Sequence, residues 1–177
     1  MNLPERVVAV HRALAASKIP HAFGGAIALA YCIGDPRATV DMDINVFLPP
    51  EQASIALAGL PAAVEVQADT IDVILRDGQV RLWWGHTPVD LFFNTTVFHE
   101  QVSVRAHHDR FGPVDLPILA CRDLAVFKAF FDRSKDWVDL EAMAAAGTLD
   151  VADVVGVLVD YLGTHDPRVA RLLALGS

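Results

Sequence analysis

Asp41 and Asp43, two residues apart in the stretch VDMDIN, are the first side chains in this sequence that could do chemistry. Val40, Met42, Ile44 and Val46 alternate with Asp41, Asp43 and Asn45. A strand over Val40 to Leu48 would therefore put the apolar set on one face and both acids on the other. Residues i and i+2 of a strand stand ~6.5–7 Å apart. Two carboxylates at that distance repel by roughly 2 kcal/mol at an effective dielectric near 20. Asp90, in VDLFF, alternates in the same way with Val89, Leu91 and Phe93. If its strand neighbours the first, three carboxylates converge, at a cost that is a large share of a domain's stability. A divalent cation, Mg²⁺ or Mn²⁺, makes sense of such a cluster. It takes a few carboxylates and completes its shell with water and substrate phosphates. Two such ions can clamp the attacking and leaving oxygens of an in-line phosphoryl displacement. The competing reading is a solvated face of an antiparallel sheet.

Gly24-Gly25 shifts the balance toward chemistry. The pair falls where a strand-like segment, His21 to Phe23, enters an apolar helix over Ala26 to Ile33. Glycine there lets backbone N–H groups approach a phosphate, and the helix N-terminus adds its dipole. Alone the pair is a turn signal. The order Gly-Gly, helix, turn, D-x-D strand and a later Asp strand is far more specific.

Other candidates are weaker. Arg105, His107, His108 and Arg110 form a basic run that reads as a solvated loop, with an acceptor-binding edge as the sharper alternative. Trp83 and Trp84 point to opposite faces of a strand, which puts one in the core. Asp132, Asp136 and Asp139 lie near one helix face close to Lys128, as caps or as support for it.

The elements that must position these residues follow from periodicity. A helix is predicted over 4–17, ended by Ile19-Pro20. Pro49-Pro50-Glu51 opens another. Val64 to Val66 reads as a short strand. Ile71–Arg76 and Gln79–Trp84 flank Asp77-Gly78 and read as a hairpin. Thr87–Phe93 and Val102–Arg105 read as further strands. Beyond Pro117 the spacing becomes helical, with starts at Asp150 and Asp166-Pro167 and stops at Gly147 and Gly163. The fold class is α+β (α/β): a mixed sheet with flanking helices over 1–117, then a helical lobe over 118–177 packed on that core.

The bulk numbers narrow the function classes. At 177 residues and 53% apolar, the chain can bury a real core. A net charge of −8 argues against broad, sequence-independent binding to a nucleic-acid backbone. Cys32 and Cys121 are the two cysteines, too few and too far apart for a disulfide framework or a zinc site, and read as two reduced, buried thiols. No apolar run reaches the ~20 residues needed to span a bilayer, so a cytoplasmic protein with no membrane partner is expected.

Phe23-Gly24-Gly25, Val40-Asp41-Met42-Asp43-Ile44 and the later Asp90 resemble the signature of the nucleotidyltransferase superfamily, whose fold is that of the DNA polymerase β palm. Fifteen residues lie between Gly25 and Asp41. That longer spacing is similar to the AbiEii-type nucleotidyltransferases, the toxin half of some bacterial toxin–antitoxin pairs. Arg37-Ala38-Thr39 resembles their basic residue and Ser/Thr before the aspartates. Lys128, Arg133, Lys135-Asp136 and Asp139-Leu140 resemble their C-terminal motif. The resemblance covers about residues 20–145 and implies an enzyme that moves a nucleoside monophosphate from an NTP to an acceptor. Asp41, Asp43 and Asp90 would be catalytic and bind the metal. Gly24, Gly25, Arg37, Thr39 and Lys128 would bind the nucleotide. The acceptor would be RNA such as tRNA, a protein or a small molecule, and an antitoxin protein would be the partner. The rival expectations are a non-catalytic binding or regulatory module of the same fold, and an aminoglycoside-type nucleotidyltransferase.

Overall fold

The structure is a computed structural model that describes residues 1–36 and 38–176. The described helices are α1 (Leu3–Ala16), α2 (Gly25–Ile33), α3 (Ala53–Ala58, preceded by a 3₁₀ turn at Pro50–Gln52), α4 (Thr70–Asp77), α5 (Val97–Arg105), α6 (Cys121–Phe131), α7 (Ser134–Ala145), α8 (Val151–Leu162) and α9 (Pro167–Leu175). The strands are β1 (His21–Phe23), β2 (Met42–Val46), β3 (Gln79–Trp84), β4 (Thr87–Phe93), β5 (His107–Phe111) and β6 (Val114–Ile118). They form one mixed sheet in the order β3-β4-β2-β1-β6-β5. β2 runs parallel to β4 and antiparallel to β1, and β1 runs parallel to β6. β3–β4 and β5–β6 are antiparallel hairpins. The chain divides into two compact units, Met1–Ile27 with Ala38–Leu119, and Ala28–Arg37 with Ala120–Ser177.

Local chemistry explains most boundaries. Asn2 caps α1 reciprocally with Glu5, a capping box with Pro4 in the first turn. In β2, Met42, Ile44 and Val46 are at most 1% exposed and form the centre of the first unit's core with Val89, Leu91 and Phe93 of β4. Asp150 and Asp166 cap α8 and α9, accepting from the N–H groups of Asp153 and Arg168. Leu124, Trp137, Leu140, Met143, Val154 and Leu158 fill the core of the second unit.

Five expectations are corrected. Residues 71–76 are helical, inside α4. Their β-branched side chains mimic a strand, but Thr70 and Ile74 bury one helical face, and Gly78, at φ +68°, caps the helix by donating to Ile74 O. Val102–Arg105 belongs to α5, whose start is fixed by the Thr96 hydroxyl accepting from His99 N–H. His107–Arg110 is not a loop but edge strand β5, registered on β6. Neither tryptophan enters the core: Trp83 is exposed, and Trp84 is half-buried with the Arg6 guanidinium 5.6 Å from its ring centre. Finally, Cys32 and Cys121 are not separate thiols but a disulfide. The end of α2 and the start of α6 bring their Cα atoms to 5.6 Å, although 89 positions separate them in sequence.

Candidate active site

β2 and β4 carry the acid pair. In their parallel register Met42 faces Val89, Asp43 faces Asp90 and Ile44 faces Leu91. Register partners on adjacent strands lie ~4.8 Å apart and point to the same face. The apolar members of the alternation point into the core, which forces both aspartates to the other side. Asp41 precedes the first residue of β2, and the Thr39 hydroxyl donates to its Oδ1. Asp43 and Asp41 are half-buried, and Asp90 is 9% exposed.

The glycine pair faces this carboxylate row. Gly24 N–H donates to Asp43 O at 2.8 Å, which ties the β1–α2 turn to β2. Gly25 opens α2 at φ +52°. A Cβ placed there would fall 1.8 Å from Asp43 Oδ2. Glycine is therefore required twice over, for the left-handed backbone and for the room it leaves Asp43. The N-terminus of α2 lies beside that carboxylate.

Arg81 is the functional-face residue that sequence reasoning missed. It is the register partner of Asp90 across the β3–β4 hairpin. Its Nε donates to Asp90 Oδ1 at 2.7 Å and an Nη to Oδ2 at 2.6 Å, a bidentate pair. The Asp90 carboxylate raises the guanidinium pKa, and Asp41 and Asp43 add to the effect. The signal was present: a two-residue turn at Gly85-His86 fixes 84 opposite 87, and hence 81 opposite 90. Reading the turn at Asp77-Gly78 instead concealed it.

The oxygen donors suit a hard divalent cation, and the missing Cβ at Gly25 leaves room for the Asp43 carboxylate. Among the described residues, however, no group of three His, Cys, Asp or Glu side chains stands preassembled for a metal. Thr39 donates to Asp41, and Arg81 holds Asp90.

Of the remaining candidates, Lys128 lies in the second unit. It is 7% exposed, donates to Asp139 Oδ2 at 2.6 Å and lies 3.7 Å from Asp136 Oδ1. Asp136, fully buried, also accepts from Arg133. Asp132 caps α6 at φ +55° and accepts from Trp137 Nε1 at 2.6 Å. Arg37 lies outside the described residues. In the β5–β6 hairpin, His107 and Arg110 pair with Asp109 and Asp115 at 2.8 and 3.5 Å, so nearby acids offset that basic run.

Solved structures with this fold include ANT(2″)-Ia, an antibiotic-resistance factor. Its solution structure matches with a TM-score of 0.59 at 13% identity, over 97% of this chain and 92% of that one. The crystal structure of ANT(2″)-Ia in complex with adenylyl-2″-tobramycin gives 0.54 at 12% identity, over 98% and 95%. JHP933 from Helicobacter pylori gives 0.51 at 16% identity, over 96% and 77%. These likenesses show the fold. No curated protein sequence matches the chain. A family model matches residues 9–175, nearly the whole length and both units, and by it the chain belongs to the nucleotidyl transferase AbiEii toxin family of the type IV toxin–antitoxin system.

Proposed function

We propose that this nucleotidyltransferase is metal-dependent, transfers a nucleoside monophosphate from an NTP to a hydroxyl-bearing acceptor, and acts as the toxin of a pair with an antitoxin protein. The observation that carries the reading is the in-register pair Asp43–Asp90 facing Gly25. Such a pair costs stability unless a cation shares it. Asp43, Asp90 and Asp41 would hold Mg²⁺ or Mn²⁺, which when bound supplies charge stabilisation to the transferring phosphoryl group.

The chain's own residues would do the rest. Gly24 fixes the turn through its bond to Asp43 O, and the Gly25 N–H with those at the start of α2 receives the triphosphate, helped by the helix dipole. Thr39 holds the Asp41 carboxylate by its hydroxyl. Lys128 and Arg37 are the further proposed phosphate contacts, on the family resemblance. The acceptor hydroxyl oxygen forms a bond to the α-phosphorus. The bond from that phosphorus to the bridging oxygen breaks, pyrophosphate leaves, and the hydroxyl proton passes to Asp90. Positioning and charge, rather than covalent catalysis, supply the rate.

The test is label transfer from α-labelled NTPs into a cell extract, with Mg²⁺, Mn²⁺ or chelator. Wild type is expected to label a discrete product in either metal, and Asp43→Ala to lose at least about 100-fold of that labelling, the scale of one electrostatic group in such a site. Equal labelling by both proteins overturns the reading in favour of the non-catalytic module. The size and nuclease sensitivity of the product distinguish RNA, protein and small-molecule acceptors, the aminoglycoside-type reading among them.

A further inference from the structure

The bidentate contact between Arg81 and Asp90 has no part in the chemistry above, and it occupies the carboxylate that the chemistry needs. Both Asp90 oxygens accept from one guanidinium, at 2.7 and 2.6 Å. The two partners differ in mobility. Asp90 is fixed on β4, between β2 and β3, with its side chain 13% exposed. Arg81 sits on β3, at one edge of the sheet, with its side chain 54% exposed. An arginine already half exposed can swing into water at little further loss of burial, while the aspartate on an inner strand cannot follow. The guanidinium also lies within the field of Asp41 and Asp43, since both stabilise its charge. Among the described residues, the Arg81 cation thus lies within the field of three carboxylates.

We propose that Arg81 is the built-in counter-cation of this site: it neutralises Asp90 while no divalent ion is bound, and it competes with that ion for the carboxylate, setting the metal concentration at which the site loads. This rests on the metal-dependent reading above. The alternative role for the same contact is a strut that holds Asp90 in place for the metal. The two roles predict opposite signs. A competitor, once removed, leaves the metal more tightly bound. A strut, once removed, leaves it more weakly bound.

The experiment measures Mn²⁺ affinity of the full chain by electron paramagnetic resonance, without nucleotide or turnover. Asp43→Ala defines the signal that belongs to the acid site. Arg81→Gln, which keeps polarity and removes charge, is expected to bind Mn²⁺ about tenfold more tightly than wild type, the order of effect of one charge next to an ion at a partly exposed site. Arg81→Lys, which keeps the charge but not the fork, is expected to lie between the two. Unchanged or weaker binding in Arg81→Gln overturns the proposal. Wild-type Mn²⁺ binding that Asp43→Ala does not diminish instead overturns the metal-dependent reading itself. If Arg81→Gln does not fold, Mg²⁺ titration of the ¹⁵N-labelled wild type decides. The Arg81 Nε–H resonance, assigned by its loss in Arg81→Lys, should move toward the position of a solvated guanidinium as the site loads. A stationary resonance overturns the proposal.

Discussion

At Gly25 the constraint on a single residue can be separated into its parts. The backbone there has φ +52°, and a Cβ would lie 1.8 Å from Asp43 Oδ2. Gly34 has φ +68° with nothing within 4 Å. Gly156, inside α8, has neither a positive φ nor a neighbour within that distance. Alanine at Gly156 should stabilise by about 0.5–1 kcal/mol, the ordinary gain in a helix interior. At Gly34 it should destabilise by about 1 kcal/mol through conformation alone. At Gly25 it should cost the conformational amount and more, since Asp43 must move, and Mn²⁺ binding should fall with it. Urea unfolding of the three variants orders them, and a Gly25→Ala protein no less stable than Gly34→Ala would remove the steric part of this account.

Between elements, the α6–α7 junction joins stability to a residue proposed to bind nucleotide. Lys128 on α6 pairs with Asp139 and lies near the fully buried Asp136 on α7. Removing the cation strands acids that burial cannot tolerate, so Lys128→Met should destabilise by about 3 kcal/mol or more. Lost labelling in that variant therefore says nothing about phosphate binding unless folding is measured beside it. A cost near zero in urea unfolding would instead show that the pairing is dispensable and the ammonium available. The same scale shows what the sequence made legible. Strands β2 and β4 could be read because Met42, Ile44 and Val46 alternate with Asp43 and Asn45, and Val89, Leu91 and Phe93 with Asp90 and Phe92, and that alternation already put Asp43 and Asp90 on the face opposite the core. α4 and α5 could not, because short helices rich in Ile and Val give no period long enough to outweigh β propensity, so only tertiary burial of Thr70, Ile74, Phe98 and Val102 decides them. Arg81 was lost with the misplaced hairpin. The disulfide was lost because nothing in two distant cysteines reveals that α2 and α6 bring them together.

For the whole molecule, two histidines far apart in the chain make stability fall as the pH drops below 6.5. His21, on β1, is buried: its Nδ1 lies 2.8 Å from Ile19 O and its Nε2 lies 3.0 Å from His11 Nδ1. Burial pushes its pKa down to about 4, and His11 and His108 push in the same direction, against the Ile19 carbonyl. His99, on α5, is also lowered to about 4 by burial. Above pH ~6.5 both are neutral in the folded and the unfolded chain, and neither affects stability. As pH falls from 6.5 toward 4, the unfolded chain takes up their protons and the folded chain does not, so stability declines. Below 4 both states are protonated and the loss is complete, at about 3 kcal/mol for each histidine. Within that window the two together give a slope approaching about 2.7 kcal/mol per pH unit at 25 °C. His21→Gln, which cannot titrate, should reduce the slope by about half. Urea unfolding at pH 7.5, 6.0, 5.0 and 4.5 checks this, and a His21→Gln protein with the wild-type slope would show that β1 does not hold its histidine neutral.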